Sequence, residues 1–289
     1  MDEGVSGETP AAIVAALEGQ AARIATPCGD GSLVWRRWGA GAPLVLLHGG
    51  HGAWTHWIRN IAFFARTRCV AVPDMPGYGD SALPPDPDDP ESLAQALADG
   101  LDEVFPGGDP VDVVGFSFGG IIAGHLARLR PDRAGRVVLV GSGGLGLPRP
   151  ELAVLKGWRR LATEAERVEA HRANLQILML RDPAAIDALA LHLQAHNTAR
   201  THINSPAISK TDTLRRCLDE LRVPLAGIWG EADATTGAFL DTRRALLRSI
   251  DPEAEFVTVP GAGHWVQYEA AAAFNAALHT VLKAARRRR

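Results

Sequence analysis

The sequence lacks a strong excess of either charge, a long apolar run and any paired cysteine motif. Its 289 residues carry 30 Lys and Arg against 33 Asp and Glu, a formal net charge of −3. That balance argues against nucleic acid or an anionic membrane surface as the main partner. No apolar run reaches the roughly 18 residues that a membrane-spanning helix needs. The cysteines, Cys28, Cys69 and Cys217, are scattered without metal-ligand spacing, which is typical of thiols in a reducing compartment.

The first residues also lack the basic segment of a secretory signal peptide, and the apolar run that begins at residue 11 is interrupted by Glu18. We therefore expect a cytoplasmic protein whose partner is a small-molecule substrate, with no nucleic acid or membrane partner and with a homodimer left open. The four arginines at 286–289 are interpreted as a solvated end. Because no repeat or low-complexity linker interrupts the chain, we expect one domain with an insertion.

The stretch 111–123 is the one around which the rest of the chain is organised. A β-branched apolar run leads into Gly115-Phe116-Ser117-Phe118-Gly119, and an Ala/Ile/Leu helix pattern follows. Strand, tight turn and helix in that order are the context in which Gly-x-Ser-x-Gly exposes a nucleophilic serine. Glycines relieve the crowding of such a turn. The helix N-terminus favours a developing anion beside the serine.

Apolar runs alternate with helical patterns, which predicts a mostly parallel sheet with helices on both faces. The predicted strands are 32–38 (an edge strand), 43–47, 69–73, the run from Val111, 137–140, 224–230 and 254–259. The predicted helices are 11–25, 54–65, 92–105, the one after Ser117, 236–250 and a C-terminal helix.

This alternation stops between residues 145 and 222, where no strand-like run occurs. Helical patterns cover 153–161, 164–180 and 183–197, the last with Asp182 as N-cap and Pro183 in the first turn. We predict that residues 145–222, the cap segment, form a helical cap over the carboxyl edge of the sheet. The core of the fold then comprises 1–144 and 223–289.

A serine hydroxyl becomes a nucleophile when a base accepts its proton and a third group orients that base. His264 follows the last predicted strand in a Gly-x-Gly-His turn, and Asp233 lies just past the strand 224–230. We predict that Ser117, Asp233 and His264 form a catalytic triad in that chain order. Glu231 is the alternative acid.

An oxyanion hole needs two preorganised N–H groups. We assign one to Phe118, the residue after the nucleophile, and the other to Gly50 in the turn His48-Gly49-Gly50-His51, with His51 in reserve. His48 is interpreted as structural. No cofactor or metal is expected. His192 and His196 have the i, i+4 spacing of metal ligands but lack an adjacent acidic partner.

The motifs together resemble the α/β-hydrolase superfamily over residues 30–283. They are the elbow at Ser117, His-Gly-Gly from residue 48, Asp-Met-Pro-Gly-Tyr-Gly-Asp-Ser from residue 74, Trp-Gly-Glu-Ala-Asp from residue 229 and Gly-His-Trp at residues 263–265. The resemblance implies the α/β-hydrolase fold, a mostly parallel eight-stranded sheet flanked by helices with a helical cap inserted before the strand at 224–230.

Within the superfamily the sequence is similar to capped esterases and to the C–C hydrolases of meta-cleavage products. Those C–C hydrolases carry Asn before the nucleophile, where Phe116 stands here, and a cap arginine that holds an acidic substrate group. Arg181 and Arg200 are candidates for that arginine, and Trp265 agrees with the subfamily. We expect His51, Phe116, Trp158, Arg181 and Trp265 to face the substrate.

Further pocket candidates are Trp54, His56, Trp57, Met179, His192, His196 and Asn197. The expected function is a serine hydrolase that acts through an acyl-enzyme on a small, largely apolar ester or related acyl compound. One alternative is C–C bond hydrolysis of a vinylogous 1,5-diketone (a dienoate). Another is a non-catalytic ligand-binding protein or receptor on the same fold. A serine at the elbow excludes the haloalkane dehalogenases and epoxide hydrolases, which need a carboxylate there.

Overall fold

The structure is a computed structural model that describes residues 8–284, so the arginines at 286–289 lie outside the described residues. One eight-stranded sheet crosses the protein in the order β1-β2-β4-β3-β5-β6-β7-β8. The strands β1 to β8 are Ala22–Cys28, Gly31–Trp38, Ala42–Leu47, Arg68–Pro73, Val111–Phe116, Ala134–Val140, Leu225–Gly230 and Glu255–Val259. β2 pairs antiparallel with β1 and β4, and all the other pairs are parallel. The predicted sheet is confirmed.

Helices cover both faces of this sheet. The helices α1 to α11 are Pro10–Glu18, Ile61–Phe64, Pro90–Val104, Phe118–Leu129, Glu164–Asn174, Ala188–Ala199, Ser205–Ser209, Thr213–Glu220, Leu240–Ile250, Val266–Glu269 and Ala271–Lys283. Along β3, Val45 joins the hydrophobic core that includes α3 and α4, whereas Leu44 and Leu46 join the core that includes α11. Because both faces are buried, the central strands are continuously apolar. Within residues 8–284 no helix is long and apolar enough to cross a membrane.

The N-terminal prediction was wrong. The predicted helix 11–25 ends at Glu18, and β1 follows as the edge strand, so the predicted strand 32–38 lies second in the sheet and not at its edge. The exposure of β1 alternates along much of its length, and one face of an edge strand carries polar residues. Because the apolar pattern of β1 is weak, its first residues were assigned to the predicted helix that precedes them.

Inside the cap segment the predicted helix 153–161 was also wrong, because those residues have no helix or strand. The Asn174 side chain accepts a hydrogen bond from the Lys156 amide (2.7 Å) and donates one to the Lys156 carbonyl (2.9 Å). Side-chain bonds of this kind compete with a helix ladder for backbone groups. The predicted helix 164–180 exists as α5, with a capping box at Thr163, followed by a π-helical turn, Leu175–Met179.

The predicted helix 183–197 begins as expected and then breaks. Asp182 accepts a hydrogen bond from the Ala184 amide at the start of a 3₁₀ turn, and a second cap, Asp187, starts α6. The later helix α8 packs against α4, where a β-carbon on Gly124 would collide with Leu214. The last part of the cap segment therefore lies against a core helix.

A buried ionic network holds the 74–81 loop against the sheet. Arg36 on β2 donates hydrogen bonds to Glu18 (2.6 Å), Asp74 (3.0 Å) and Asp80 (2.6 Å). The side chains of Arg36 and Asp74 are 3% and 2% exposed. Asp74 also accepts a hydrogen bond from the Trp54 amide. The network thus ties α1, β2 and two loops at the carboxyl edge of the sheet to one guanidinium.

Removing the cation from this network should destabilise the fold. Arg36→Ala leaves the buried carboxylate of Asp74 without its ion pair, and breaking a buried pair in this way costs about 3–5 kcal/mol. Urea unfolding should show that loss. The matched control is Arg23→Ala, since Arg23 binds Asp80 from a side chain 57% exposed, and an exposed pair is worth under about 1 kcal/mol. Equal losses in the two variants would contradict the role of Arg36.

Candidate active site

Ser117 lies at the sharp junction between β5 and α4. Its backbone has φ 52° and ψ −112°, a left-handed φ that a residue with a side chain adopts at a cost. A β-carbon on Gly115 would collide with the backbone of Gly119, and one on Gly119 would collide with the His48 carbonyl. The two glycines of Gly-x-Ser-x-Gly therefore allow the strand, the helix and a neighbouring loop to approach one another beneath the serine.

His264 and Asp233 complete a chain of hydrogen bonds to Ser117. His264 Nε2 lies 3.0 Å from Ser117 Oγ, and its Nδ1 lies 2.9 Å from Asp233 Oδ2. Asp233 is 1% exposed. Burial alone would raise the pKa of Asp233, but the neighbouring His264 and two hydrogen bonds from Thr235 hold that pKa below its usual value. An ionised Asp233 keeps the proton of His264 on Nδ1 and leaves Nε2 as the acceptor that faces the serine.

Glu231, the alternative acid, is engaged elsewhere. Its carboxylate is exposed and accepts a hydrogen bond from the Gly261 amide (2.9 Å). Thr235, which sequence reasoning missed, orients the acid instead: its amide and its hydroxyl each donate to Asp233 Oδ1 at 2.8 Å. The signal was present, because a residue two positions after an Asp in a loop is the usual donor to that carboxylate.

Residues 48–52, which we call the oxyanion turn after their predicted role, pass close to Ser117. A β-carbon on Gly49 would lie 3.3 Å from Ser117 Cβ, and the non-glycine His51 has φ 58°. Gly50 and Phe118 line the same cavity as Ser117. Within residues 8–284 neither the Gly50 nor the Phe118 amide donates a hydrogen bond to another protein group. Both amides are therefore available to a ligand.

Two buried histidines shape this turn. His48 Nδ1 donates to the Gly49 carbonyl (2.8 Å) and its Nε2 accepts from the Met75 amide (2.9 Å), so its structural role is confirmed. His56 Nδ1 accepts from the Gly49 amide (3.2 Å). Burial lowers the pKa of His48 to about 4. Burial, followed by the neighbouring histidines, lowers the pKa of His56 well below its usual value. Both rings are neutral at pH 7.

The cavity above Ser117 has a volume of about 570 Å³. Its apolar walls come from both the core and the cap segment: Phe116, Phe118, Pro150, Leu152, Leu155, Leu178, Met179 and Pro206. Two cations and one anion, Arg149, Lys210 and Glu151, contribute exposed side chains. A second cavity of about 490 Å³ shares Gly50, His51, Leu155, Leu178 and Met179 with the first. The two cavities are therefore adjacent, and residues of the cap segment line both; we call them together the cleft.

The predicted substrate-facing residues separate into three groups. His51 and Phe116 line the first cavity, and Trp158 and His56 line the second. Trp265 is 1% exposed and donates from Nε1 to the His56 carbonyl (2.9 Å), so it packs beneath the site and lines neither cavity.

The two arginines predicted to bind an acidic substrate group, Arg181 and Arg200, line neither cavity. Arg181 is exposed and lines neither cavity, because its backbone follows the π-helical turn out to the surface beside Gly263. Arg200 forms an ion pair with Asp80 and contacts His196 (2.9 Å). The prediction that Arg181 faces the substrate is therefore wrong.

The spacing of His192 and His196 places their rings in a stack, 6.1 Å between centroids. Among residues 8–284 no group of three His, Cys, Asp or Glu side chains could hold a metal ion. His196 instead continues the ionic network through Arg200.

Comparison with known proteins agrees with this architecture. The chain matches the alpha/beta hydrolase family over residues 44–277. It is 31% identical to a 2-hydroxy-6-oxo-6-phenylhexa-2,4-dienoate hydrolase of Burkholderia cepacia, over 82% of this chain and 86% of that protein. It is 32% identical to an esterase of Mycobacterium tuberculosis, over 71% of this chain and 66% of that protein. The solved structure of naproxen esterase from Bacillus subtilis covers 98% of this chain, and the chain covers all of it, with a TM-score of 0.74 at 16% identity.

The fold and the elbow define a hydrolase of the α/β class. The chain belongs to the alpha/beta hydrolase family, as its motifs predicted, and its relatives include both esterases and meta-cleavage hydrolases.

The two buried, neutral histidines at the oxyanion turn, His48 and His56, should make the fold sensitive to acid. Their pKa values are lower in the native than in the unfolded state, so unfolded protein binds more protons between pH 6.5 and about 4. The free energy of unfolding should therefore decrease as the pH is lowered through that window, by up to about 1.4 kcal/mol per pH unit for each such histidine. Urea unfolding at pH 7, 6 and 5 measures the slope. His48→Asn should reduce it, and an unchanged slope in that variant would contradict the assignment of His48.

Proposed function

We propose that this protein is a serine hydrolase that cleaves small, largely apolar carboxylic esters through an acyl-enzyme. The single observation that carries the proposal is the hydrogen-bonded chain from Ser117 through His264 to Asp233. In that arrangement a serine, a histidine and a carboxylate have the mutual geometry of an acyl-transfer triad. The strained, left-handed Ser117 at a helix N-terminus supports the same assignment.

The geometry suggests the order of events. Ser117 Oγ attacks the ester carbonyl while its proton passes to His264 Nε2, and the imidazolium is stabilised by Asp233. His264 then protonates the departing alcohol. Water, deprotonated by the same imidazole, attacks the acyl-enzyme and releases the acid. Negative charge on the carbonyl oxygen develops beside the free amides of Gly50 and Phe118, where such donors stabilise it.

The walls of the cleft support an apolar substrate. Apolar surface predominates in the cavity around Ser117, and a volume of about 570 Å³ suits a small organic ester. The cation Arg149 lies at the exposed part of the wall, donates to the Ser209 carbonyl (3.2 Å), and has Glu151 in the same lining. Glu151 offsets part of the positive charge of Arg149 and Lys210 in this lining, and we expect a neutral ester rather than a dicarboxylate.

Replacing Ser117 tests the triad. Ser117→Ala should lower kcat for a p-nitrophenyl ester by about 10⁴–10⁶-fold, because the nucleophile is lost, and should abolish labelling by a fluorophosphonate probe. The matched control is Ser249→Ala, which removes an exposed hydroxyl on α9 outside both cavities and should keep both the activity and the labelling. A folded wild-type protein that is neither labelled nor active would contradict the proposal and would favour a ligand-binding protein on this fold.

The second candidate is C–C bond hydrolysis of a dienoate. The observation in its favour is the 31% identity to a dienoate hydrolase over most of both chains. Against it, Phe116 stands before the nucleophile, Arg181 is exposed and Arg200 is bound to Asp80.

Comparing two substrates separates the candidates. We expect kcat/KM for a p-nitrophenyl ester of a short acyl group to exceed that for a ring-fission dienoate by at least roughly tenfold. The physical reason is that neither predicted cap arginine is placed to pair with the dienoate carboxylate, and one lost charge-assisted hydrogen bond is worth about a factor of ten or more. Initial rates at 400 nm for p-nitrophenolate and at the dienoate absorbance give both constants. A higher value for the dienoate would reverse the assignment.

A further inference from the structure

A hydroxyl from the cap segment lies against the oxyanion turn. Ser205, the first residue of α7, is 3% exposed and lines the cavity that holds Ser117 and Phe118. A β-carbon on Gly50 would collide with Ser205 Oγ and would lie 3.0 Å from Ser205 Cβ and 3.7 Å from Phe118 Cβ. The Ser205 hydroxyl therefore lies beside the Gly50 backbone, in the lining of the same cavity.

A second hydroxyl lies behind Ser205. Tyr78 is fully buried, and within residues 8–284 its hydroxyl has no hydrogen-bond partner. The ring packs edge-on against His48 (4.9 Å between centroids) and is tilted against Phe118 (6.2 Å). Burial raises the pKa of Tyr78, and the nearby Ser205 hydroxyl opposes that rise, although the pair lacks the geometry of a full hydrogen bond. Tyr78 is thus a protonated donor.

A buried hydroxyl without a partner is costly, since desolvation is uncompensated. At Tyr78 that cost is localised next to the one part of the molecule where a negative charge is expected to form. The arrangement gains a physical reason if a partner for these hydroxyls arrives with the substrate.

The position of Ser205 is fixed by the core. The Gly79 amide donates to the Arg200 carbonyl and the His202 amide donates to the Gly77 carbonyl, both at 3.0 Å. Tyr78 and Thr201 form a β-bridge between these two bonds. The chain leading into Ser205 is therefore held to the 74–81 loop by backbone hydrogen bonds on both sides of Tyr78, which keeps Ser205 close to Tyr78 while leaving the two side chains free to adjust.

We propose that Ser205 donates a third hydrogen bond to the carbonyl oxygen of the substrate as it becomes an oxyanion, and that Tyr78 donates in turn to Ser205 Oγ. The inference rests on the proposed function. Ser205 is a catalytic residue in this scheme, because its O–H contacts the reacting oxygen. Tyr78 is a positioning residue that acts through Ser205, and it strengthens that donor because hydrogen bonds in a chain polarise one another. Neither hydrogen bond involves proton transfer: Ser205 and Tyr78 both keep their protons.

Ser205→Ala tests the donor. A hydrogen bond made only in the transition state lowers kcat with little change in KM, and loss of one oxyanion donor costs about 10²–10³-fold in kcat. We expect a loss at the lower end of that range for a p-nitrophenyl ester. Ser249→Ala is the matched control: it removes a hydroxyl on α9 that donates to the Leu246 carbonyl and lies outside both cavities, and its kcat should stay within about twofold of wild type.

Tyr78→Phe tests the relay. Alone it should lower kcat by roughly tenfold, the scale of one neutral hydrogen bond, and in the Ser205→Ala background it should cause no further loss. The midpoint of thermal unfolding should not fall, because the hydroxyl removed has no partner in the free protein. A merely structural role for Tyr78 would instead lower that midpoint and leave kcat unchanged.

Should Ser205→Ala fail to fold, the isosteric pair Ser205→Thr and Ser205→Val replaces it, since the two differ only by hydroxyl against methyl. The threonine variant should exceed the valine variant in kcat by at least roughly tenfold. Equal kcat values in that pair, or a Ser205→Ala variant that changes only KM, would overturn the inference. Fluorophosphonate labelling of Ser117 in the same samples separates this outcome from failure of the proposed function, because labelling depends on the triad and survives without Ser205.

Discussion

The left-handed backbone of Ser117 is the constraint on which the rest of the site depends. A serine at φ 52° raises its side chain above the sheet only if strand β5 and helix α4 meet almost without intervening volume, and Gly115 and Gly119 provide that closeness. Their packing in turn fixes His48, whose carbonyl lies over Gly119. The junction of β5 and α4 thereby positions the oxyanion turn as well as Ser117, so one strained residue sets how these two parts of the site lie relative to each other.

A second level of organisation is electrostatic and lies away from the serine. Arg36 holds Asp74 and Asp80, and Asp80 holds Arg200 in the cap segment. The 74–81 loop consequently packs against the core and also binds the chain that leads into α7. The cap segment contributes side chains to the cleft, and near Arg200 its position depends on the ion pairs that Arg36 and Asp80 form beneath the loop.

The sequence predicted most reliably what local chemistry dictates. Ser117, Asp233 and His264 follow strands at the same sheet edge, so chain order and turn residues were enough to bring them together. Strand β1 and the irregular residues 153–161 were missed because their structure is decided by partners distant in sequence, β2 and Asn174. The same limit applied to Arg181: charge and segment were read correctly, but whether an arginine faces a cavity or solvent depends on the path of the π-helical turn before it. Ser205 carried no local signal at all.

That π-helical turn also ties the cap segment to the core beside His264. Its last residue, Met179, accepts a hydrogen bond from the Trp265 amide (2.7 Å), and Glu269 bonds the amides of both Gly263 and Asp182. The cap segment is thus hydrogen-bonded to the backbone on either side of His264, so a movement of the cap segment there would displace the His264 imidazole from Ser117. Elsewhere the lining of the cleft includes the irregular residues 151–158, with Val154 90% and Leu155 43% exposed. One border of the cleft is therefore bonded to the backbone beside His264, and another is an irregular segment with exposed apolar side chains.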